Sequence, residues 1–168
     1  MDFFCLLHST LGKPLLDLAW LYFSEAASCT GSYTYLNGEF CYAFVKETKT
    51  WADAQTVCKA IGGYLVEIKT EAQNRYVESI MFEHPAQQDI WLGATDLVSE
   101  GDWFWATSDT NVSAGFTYWG VGEPNNAVNG ENCLEFSQNV QSRHWNDHVC
   151  DSKKSFLCQK SIDTVVVG

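Results

Sequence analysis

From position 29 onward the apolar residues alternate with polar ones in short, distinct patterns. Tyr33-Thr34-Tyr35-Leu36 reads as a strand, Asn37-Gly38 as a hairpin turn, and Cys41-Tyr42-Ala43-Phe44-Val45 as the returning strand. The period then changes. Trp51, Ala54, Val57, Cys58 and Ile61 recur at helical spacing, behind Thr50 as N-cap and ahead of the terminating pair Gly62-Gly63. Tyr64-Leu65-Val66-Glu67 reads as a short strand. Thr70 caps a second helix to about Met81, with Ala72, Tyr76, Val77 and Ile80 as its inward positions. After the break at His84-Pro85, Ile90-Trp91-Leu92-Gly93-Ala94 has the unbroken apolar run of a buried strand.

Regular periodicity fades between Thr95 and Asn132, where Gly, Asn, Ser, Thr and Asp dominate. Trp103, Trp105, Phe116, Tyr118 and Trp119 give this long loop enough apolar surface to pack. Three strand candidates close the pattern: Cys133–Phe136, Ser142–Asn146 and Ser155–Gln159. Two early helices and short late strands predict one α+β domain over residues 29–160. Five tryptophans, Trp51, Trp91, Trp103, Trp105 and Trp145, are expected in its core.

The flanks read differently. Residues 1–28 carry two apolar clusters and end in small residues before Cys29, which resembles a signal peptide cleaved near Ala26 to Ser28. Lys13, Pro14 and Asp17 interrupt the apolar run, so no membrane span is expected. Residues 161–168 form a short tail. Cys5 would leave with the leader. The remaining Cys29, Cys41, Cys58, Cys133, Cys150 and Cys158 make an even set in a small chain, which predicts disulfides and an extracellular, oxidising setting. Spacing alone leaves their pairing open. No CxxC pair or suitably spaced His points to zinc.

The net charge of −11, from 21 acidic and 10 basic residues, argues against nucleic acid, which requires clustered Lys and Arg. The acidic excess fits solubility or divalent cations, depending on where the carboxylates fall. Glu123-Pro124-Asn125, Glu131 and Trp145-Asn146-Asp147 concentrate three carboxylates and two amides. Such an oxygen set suits calcium, a hard cation, and not metals that prefer nitrogen or sulfur.

With Trp91-Leu92-Gly93-Ala94 and the six cysteines, these tripeptides resemble the C-type lectin domain family over about Cys29 to Lys160. The resemblance implies the long form of that fold: two helices, short antiparallel sheets, a long calcium-binding loop and three disulfides. It pairs Cys29 with Cys41, Cys58 with Cys158, and Cys133 with Cys150. It also implies a cis peptide before Pro124. Glu123, Asn125, Glu131, Asn146 and Asp147 would hold Ca2+, Asp147 also through its backbone carbonyl, and two vicinal sugar hydroxyls would complete its shell. Glu123 and Glu131 would accept hydroxyl protons, while Asn125 and Asn146 would donate. Glu-Pro-Asn goes with mannose-type sugars in the family, including N-acetylglucosamine, glucose and fucose; Gln-Pro-Asp goes with galactose. An auxiliary calcium site would fall on Asp96, Glu100, Asn126, Glu131 and Asn132.

The function expected is therefore a secreted, calcium-dependent lectin that binds microbial or self glycans, with homo-oligomers supplying avidity. Immune recognition is the setting this suggests. The alternative is a lectin-like domain that binds protein or mineral matrix. Catalysis is not expected, since no nucleophile elbow, zinc-protease motif or phosphate loop is present, and chelating carboxylates are not free to move protons. Asn111-Val112-Ser113 is a sequon for N-glycosylation.

Overall fold

A computed structural model of the chain describes residues 28–85, 89–128, 130–138 and 143–162. The leader expected before Cys29 and nearly all of the expected tail lie outside these residues.

Strand β1 (Tyr35–Asn37) pairs antiparallel with β2 (Phe40–Lys49), and Asn37 faces Phe40. The turn therefore falls on Gly38-Glu39, one residue later than Asn37-Gly38, with Gly38 at φ +60°. Helix α1 (Trp51–Ala60) starts at Thr50, whose hydroxyl accepts the Asp53 N–H at 3.2 Å. Its buried stripe is Trp51, Ala54 and Cys58, at the expected spacing. Strand β3 is shorter than expected (Tyr64–Leu65). Helix α2 (Glu71–Phe82) begins with a reciprocal cap between Thr70 and Gln73. Its inward face is Asn74, Val77, Ile80 and Met81. Ala72, expected inside, is exposed, and the polar Asn74 is buried instead.

Strand β4 (Asp89–Thr95) crosses the middle of the molecule. The expected loop region holds two short strands, β5 (Phe104–Trp105) and β6 (Thr110–Asn111), and a 3-10 turn at Val112–Ala114. Strands β7 (Cys133–Ser137), β8 (His144–His148) and β9 (Lys154–Ser161) complete the described elements. The sheet order is β1-β2-β9-β4-β5-β6, with β3 also on β9, and with β7 between β4 and β8. One pairing departs from the expected antiparallel pattern. Strands β4 and β9 run parallel, with Trp91 facing Phe156. The helices between β2 and β4 carry the chain over so that β4 enters in the direction of β9.

Three disulfides join Cys29–Cys41, Cys58–Cys158 and Cys133–Cys150, the pairing implied by the resemblance. The second ties α1 to β9 across 100 residues of chain. All five expected core tryptophans are buried. Buried indoles need acceptors. Trp51 donates to the Leu92 carbonyl at 2.8 Å, Trp91 to the Lys49 carbonyl at 2.9 Å, and Trp145 to Asn74 Oδ1 at 3.0 Å. That last bond is why a polar residue occupies the inward face of α2. Gly93 also has a packing reason. A Cβ there would lie 2.5 Å from the Leu65 carbonyl oxygen, where β3 and β4 meet.

Candidate functional site

The candidate residues gather where the 118–132 loop returns to β8. The Trp145 N–H donates to the Tyr118 carbonyl at 2.8 Å, and the Gly120 N–H donates to the Trp145 carbonyl at 3.0 Å. These bonds fasten the start of the loop beside β8. Trp119 packs edge-on against Trp103 and Trp145, so the loop rests on an aromatic base. Gly122 (φ +89°) turns the chain, and the Glu123-Pro124 peptide is cis, as expected.

Asp147 ties the loop down. Its side chain is 1% exposed, and its two oxygens accept the N–H groups of Asn125 (3.1 Å) and Asn126 (2.6 Å). Farther along, Asn126 sits at φ +46°, and its Oδ1 accepts from the N–H groups of Gly130 and Glu131. Glu131 Oε2 accepts the Ala127 N–H at 2.8 Å. The side-chain oxygens of Asn126 and Asp147 thus shape the loop from inside.

The electrostatics show that three carboxylates share this space. The Glu123 carboxyl is pushed up to about 7, first by burial, then by its contact with Asp147 and the charge of Glu131, while a hydrogen bond with Asn125 opposes the shift. Glu123 Oε2 is buried and has no hydrogen-bond partner. Two more buried oxygens, Asp96 Oδ1 and Asn132 Oδ1, are in the same condition. Asp96 and Asn132 adjoin, because the Asn132 carbonyl accepts from the Asp96 N–H (3.3 Å) and the Thr95 hydroxyl (2.6 Å). Burial, Glu100 and Asp147 all push the Asp96 carboxyl upward, against hydrogen bonds that include the Gly101 N–H at 2.8 Å. The primary and auxiliary sets are therefore neighbours across Asp147.

A buried acceptor without a donor costs about 1–3 kcal/mol. An oxygen-seeking cation relieves such acceptors, and calcium is the hard ion that tolerates mixed carboxylate and amide oxygens. Among the described residues, no group of three or more His, Cys, Asp and Glu side chains is set as a metal cluster. The candidate set instead mixes three carboxylates with two amides.

Asn146, expected to donate to sugar, has its amide engaged by its neighbours. Its Nδ2 donates inward, to Glu135 Oε1 at 3.0 Å and to the Asp147 carbonyl at 2.7 Å. Asn125 is the other expected amide donor toward a ligand. Asn126, expected in the auxiliary set, has its Oδ1 engaged in closing the loop. Asn111 lies on the edge strand β6, where its Oδ1 accepts the Ser113 N–H at 2.8 Å.

Sequence reasoning did not identify Glu135. It is 3% exposed, pairs with Lys154 Nζ at 2.7 Å, and stands opposite Asn146 in the β7–β8 register. Burial raises its carboxyl, and Lys154 opposes that shift. The available signal was a carboxylate between the buried Leu134 and Phe136 in a short strand.

The lectin C-type domain model matches residues 47–160. The chain is 34% identical to the human CD209 antigen over 133 residues, covering 79% of this chain and 31% of that protein. It is 35% identical to mouse CD209 antigen-like protein D over 133 residues, covering 79% and 52%. The chain thus spans about a third to a half of these relatives. Among solved structures, human lithostathine superposes with TM-score 0.72 at 28% identity, covering 86% of this chain and 99% of that one. The mouse scavenger receptor C-type lectin carbohydrate-recognition domain gives 0.69 at 25%, covering 81% and 100%. Herring type II antifreeze protein gives 0.69 at 26%, covering 80% and 100%. The matched residues contain both helices, the buried β4 strand, two of the three disulfides and the whole candidate loop, and on that ground the chain belongs to the C-type lectin domain family.

Proposed function

We propose that this lectin binds carbohydrate through calcium held by Glu123, Asn125, Glu131, Asn146 and Asp147. The observation that carries the reading is the buried, donorless Glu123 Oε2 beside two further carboxylates. Such crowding is unfavourable alone and favourable around a divalent cation. Bound calcium would polarise two vicinal sugar hydroxyls and take their oxygens into its shell. The chain's own groups do the rest. Glu123 and Glu131 accept hydroxyl protons, Asn125 donates to a hydroxyl oxygen, and Asp147 keeps the 125–126 backbone in place.

The Glu-Pro-Asn order favours mannose, N-acetylglucosamine, glucose or fucose, with equatorial 3- and 4-hydroxyls. The lectin domain spans 29–160. Asp96, Glu100 and Asn132 form the auxiliary calcium set with Glu131, leaving Asn126 to the loop. Three disulfides fit an oxidising extracellular setting, and immune glycan recognition fits a single sugar site whose avidity comes from oligomers. Among the described residues, no helix is long and apolar enough to cross a membrane. Asn111 is a glycosylation acceptor on the edge strand β6. Family membership is that of a binding domain, and the chain works without catalysis.

A glycan array with and without EDTA tests the reading. Calcium-dependent binding that free mannan competes away supports it; sugar binding untouched by EDTA refutes it. A second reading rests on the similarity to lithostathine and to an antifreeze protein, together with the charge of −11. It predicts EDTA-insensitive adhesion to protein or mineral, with a blank array.

A further inference from the structure

The two oxygens and two hydrogens of the Glu135–Asn146 contact have only one sensible arrangement. A side-chain amide has an oxygen that accepts and a nitrogen that donates twice. Glu135 Oε1 at 3.0 Å and the Asp147 carbonyl at 2.7 Å are both acceptors facing the same end of Asn146. The nitrogen must occupy that end, so the amide orientation follows from chemistry and not from assignment. Asn146 Oδ1 is then the end left without a hydrogen-bond partner among the described residues.

Glu135 can impose this orientation because it is itself immobilised. It is buried, and Lys154 Nζ holds its Oε2 at 2.7 Å. Lys154 is in turn fixed over the Trp91 ring, 5.3 Å from its centre, and stands 3.9 Å from Asp89. A chain of contacts thus runs from the core tryptophan of β4 through Lys154 and Glu135 to a candidate calcium ligand.

We infer that Glu135, backed by Lys154, is a positioning residue that turns the Asn146 amide so that its oxygen, not its nitrogen, is offered to calcium. The inference rests on the calcium reading and adds to it. Residues that orient ligands from behind change metal affinity by about 10–100-fold when removed.

Calcium titration calorimetry on the oxidised full chain tests it with two variants. In Glu135→Gln the new amide turns its oxygen to the Lys154 cation and its nitrogen to Asn146. Asn146 then keeps only the Asp147 carbonyl to hold its nitrogen inward, and its amide is free to turn N–H toward the metal. The expected result is calcium binding weakened about tenfold or more, with a similar unfolding midpoint in EDTA. In Glu135→Gln with Lys154→Gln, the first glutamine can again give its oxygen to Asn146 and its nitrogen to Gln at 154. Most of the lost affinity should return, which a purely structural role does not predict. Single-variant affinity equal to wild type, or a double variant no better than the single, overturns the inference. A wild-type protein that takes up no calcium sinks the calcium reading itself, and that result is distinct. Should Glu135→Gln fail to fold, hydrogen exchange of the Asn146 side-chain amide in the wild-type apo protein decides. Two protected protons support the inference, and exchange at the rate of a free amide overturns it.

Discussion

Calcium and protons should compete for Glu123. In the metal-free protein its carboxyl titrates near 7, raised first by burial and then by Asp147 and Glu131. The sign is set by that direction. A raised folded-state value stabilises the apo protein fully below the ordinary carboxylate range, and the contribution fades as pH rises through about 7. Calcium reverses the preference, because a metal ligand must be ionised. At pH 7 about half of the Glu123 groups carry a proton, so binding one calcium releases about half a proton there and about one at pH 5.5. With one competing proton, apparent affinity falls about 10-fold from pH 8 to pH 6 and about 100-fold to pH 5. Calorimetric titrations at several pH values, each in two buffers of different protonation heat, measure both quantities. Calcium should also raise the unfolding temperature most above pH 7. In Glu123→Gln, affinity falls overall, and the remaining pH dependence retreats to the ordinary carboxylate range. A dissociation constant flat between pH 8 and pH 5.5, with no proton released, would refute the reasoning.

Three further outcomes are expected. Asn74→Leu leaves the buried Trp145 indole N–H without its 3.0 Å acceptor, and denaturant unfolding should show a loss of about 1–3 kcal/mol. Replacing Cys58 and Cys158 together by Ala opens a closure of 100 residues; urea midpoints should report about 3–5 kcal/mol lost, whereas an unchanged midpoint rejects the entropic account. Exchanging Glu123→Gln with Asn125→Asp should move binding on a glycan array from mannose-type toward galactose-type sugars, and retained mannose preference would show that other loop residues set specificity.

Local chemistry made much of the fold legible. Thr50 and Thr70 cap their helices where the apolar period begins, because an N-cap satisfies helix N–H groups within three residues of itself. The run Ile90–Ala94 announced a strand buried on both faces, and it lies at the centre of the sheet. The hairpin turn lies one residue later than its local signal. Asn37-Gly38 is a strong turn pair, yet β2 pairs with β9 from Phe40 onward, and that long register places the turn at Gly38-Glu39. On α2, Ala72 and Asn74 exchanged roles, since a distant indole needed an acceptor and Asn74 faced it.

The sequence by itself determined the helices, most strands, the six paired cysteines as a set and the oxygen-rich residues of the loop. These depend on periods, caps and residue chemistry that act over a few positions. Tertiary structure decided which of those oxygens are left without donors, because that depends on every group packed around them. It brought Glu123, Glu131 and Asp147 together from separate stretches of chain and assigned the Asn126 oxygen to the loop. It also turned Asn146 inward onto Glu135, a residue whose role exists only when β7 lies beside β8 and Lys154 arrives from β9.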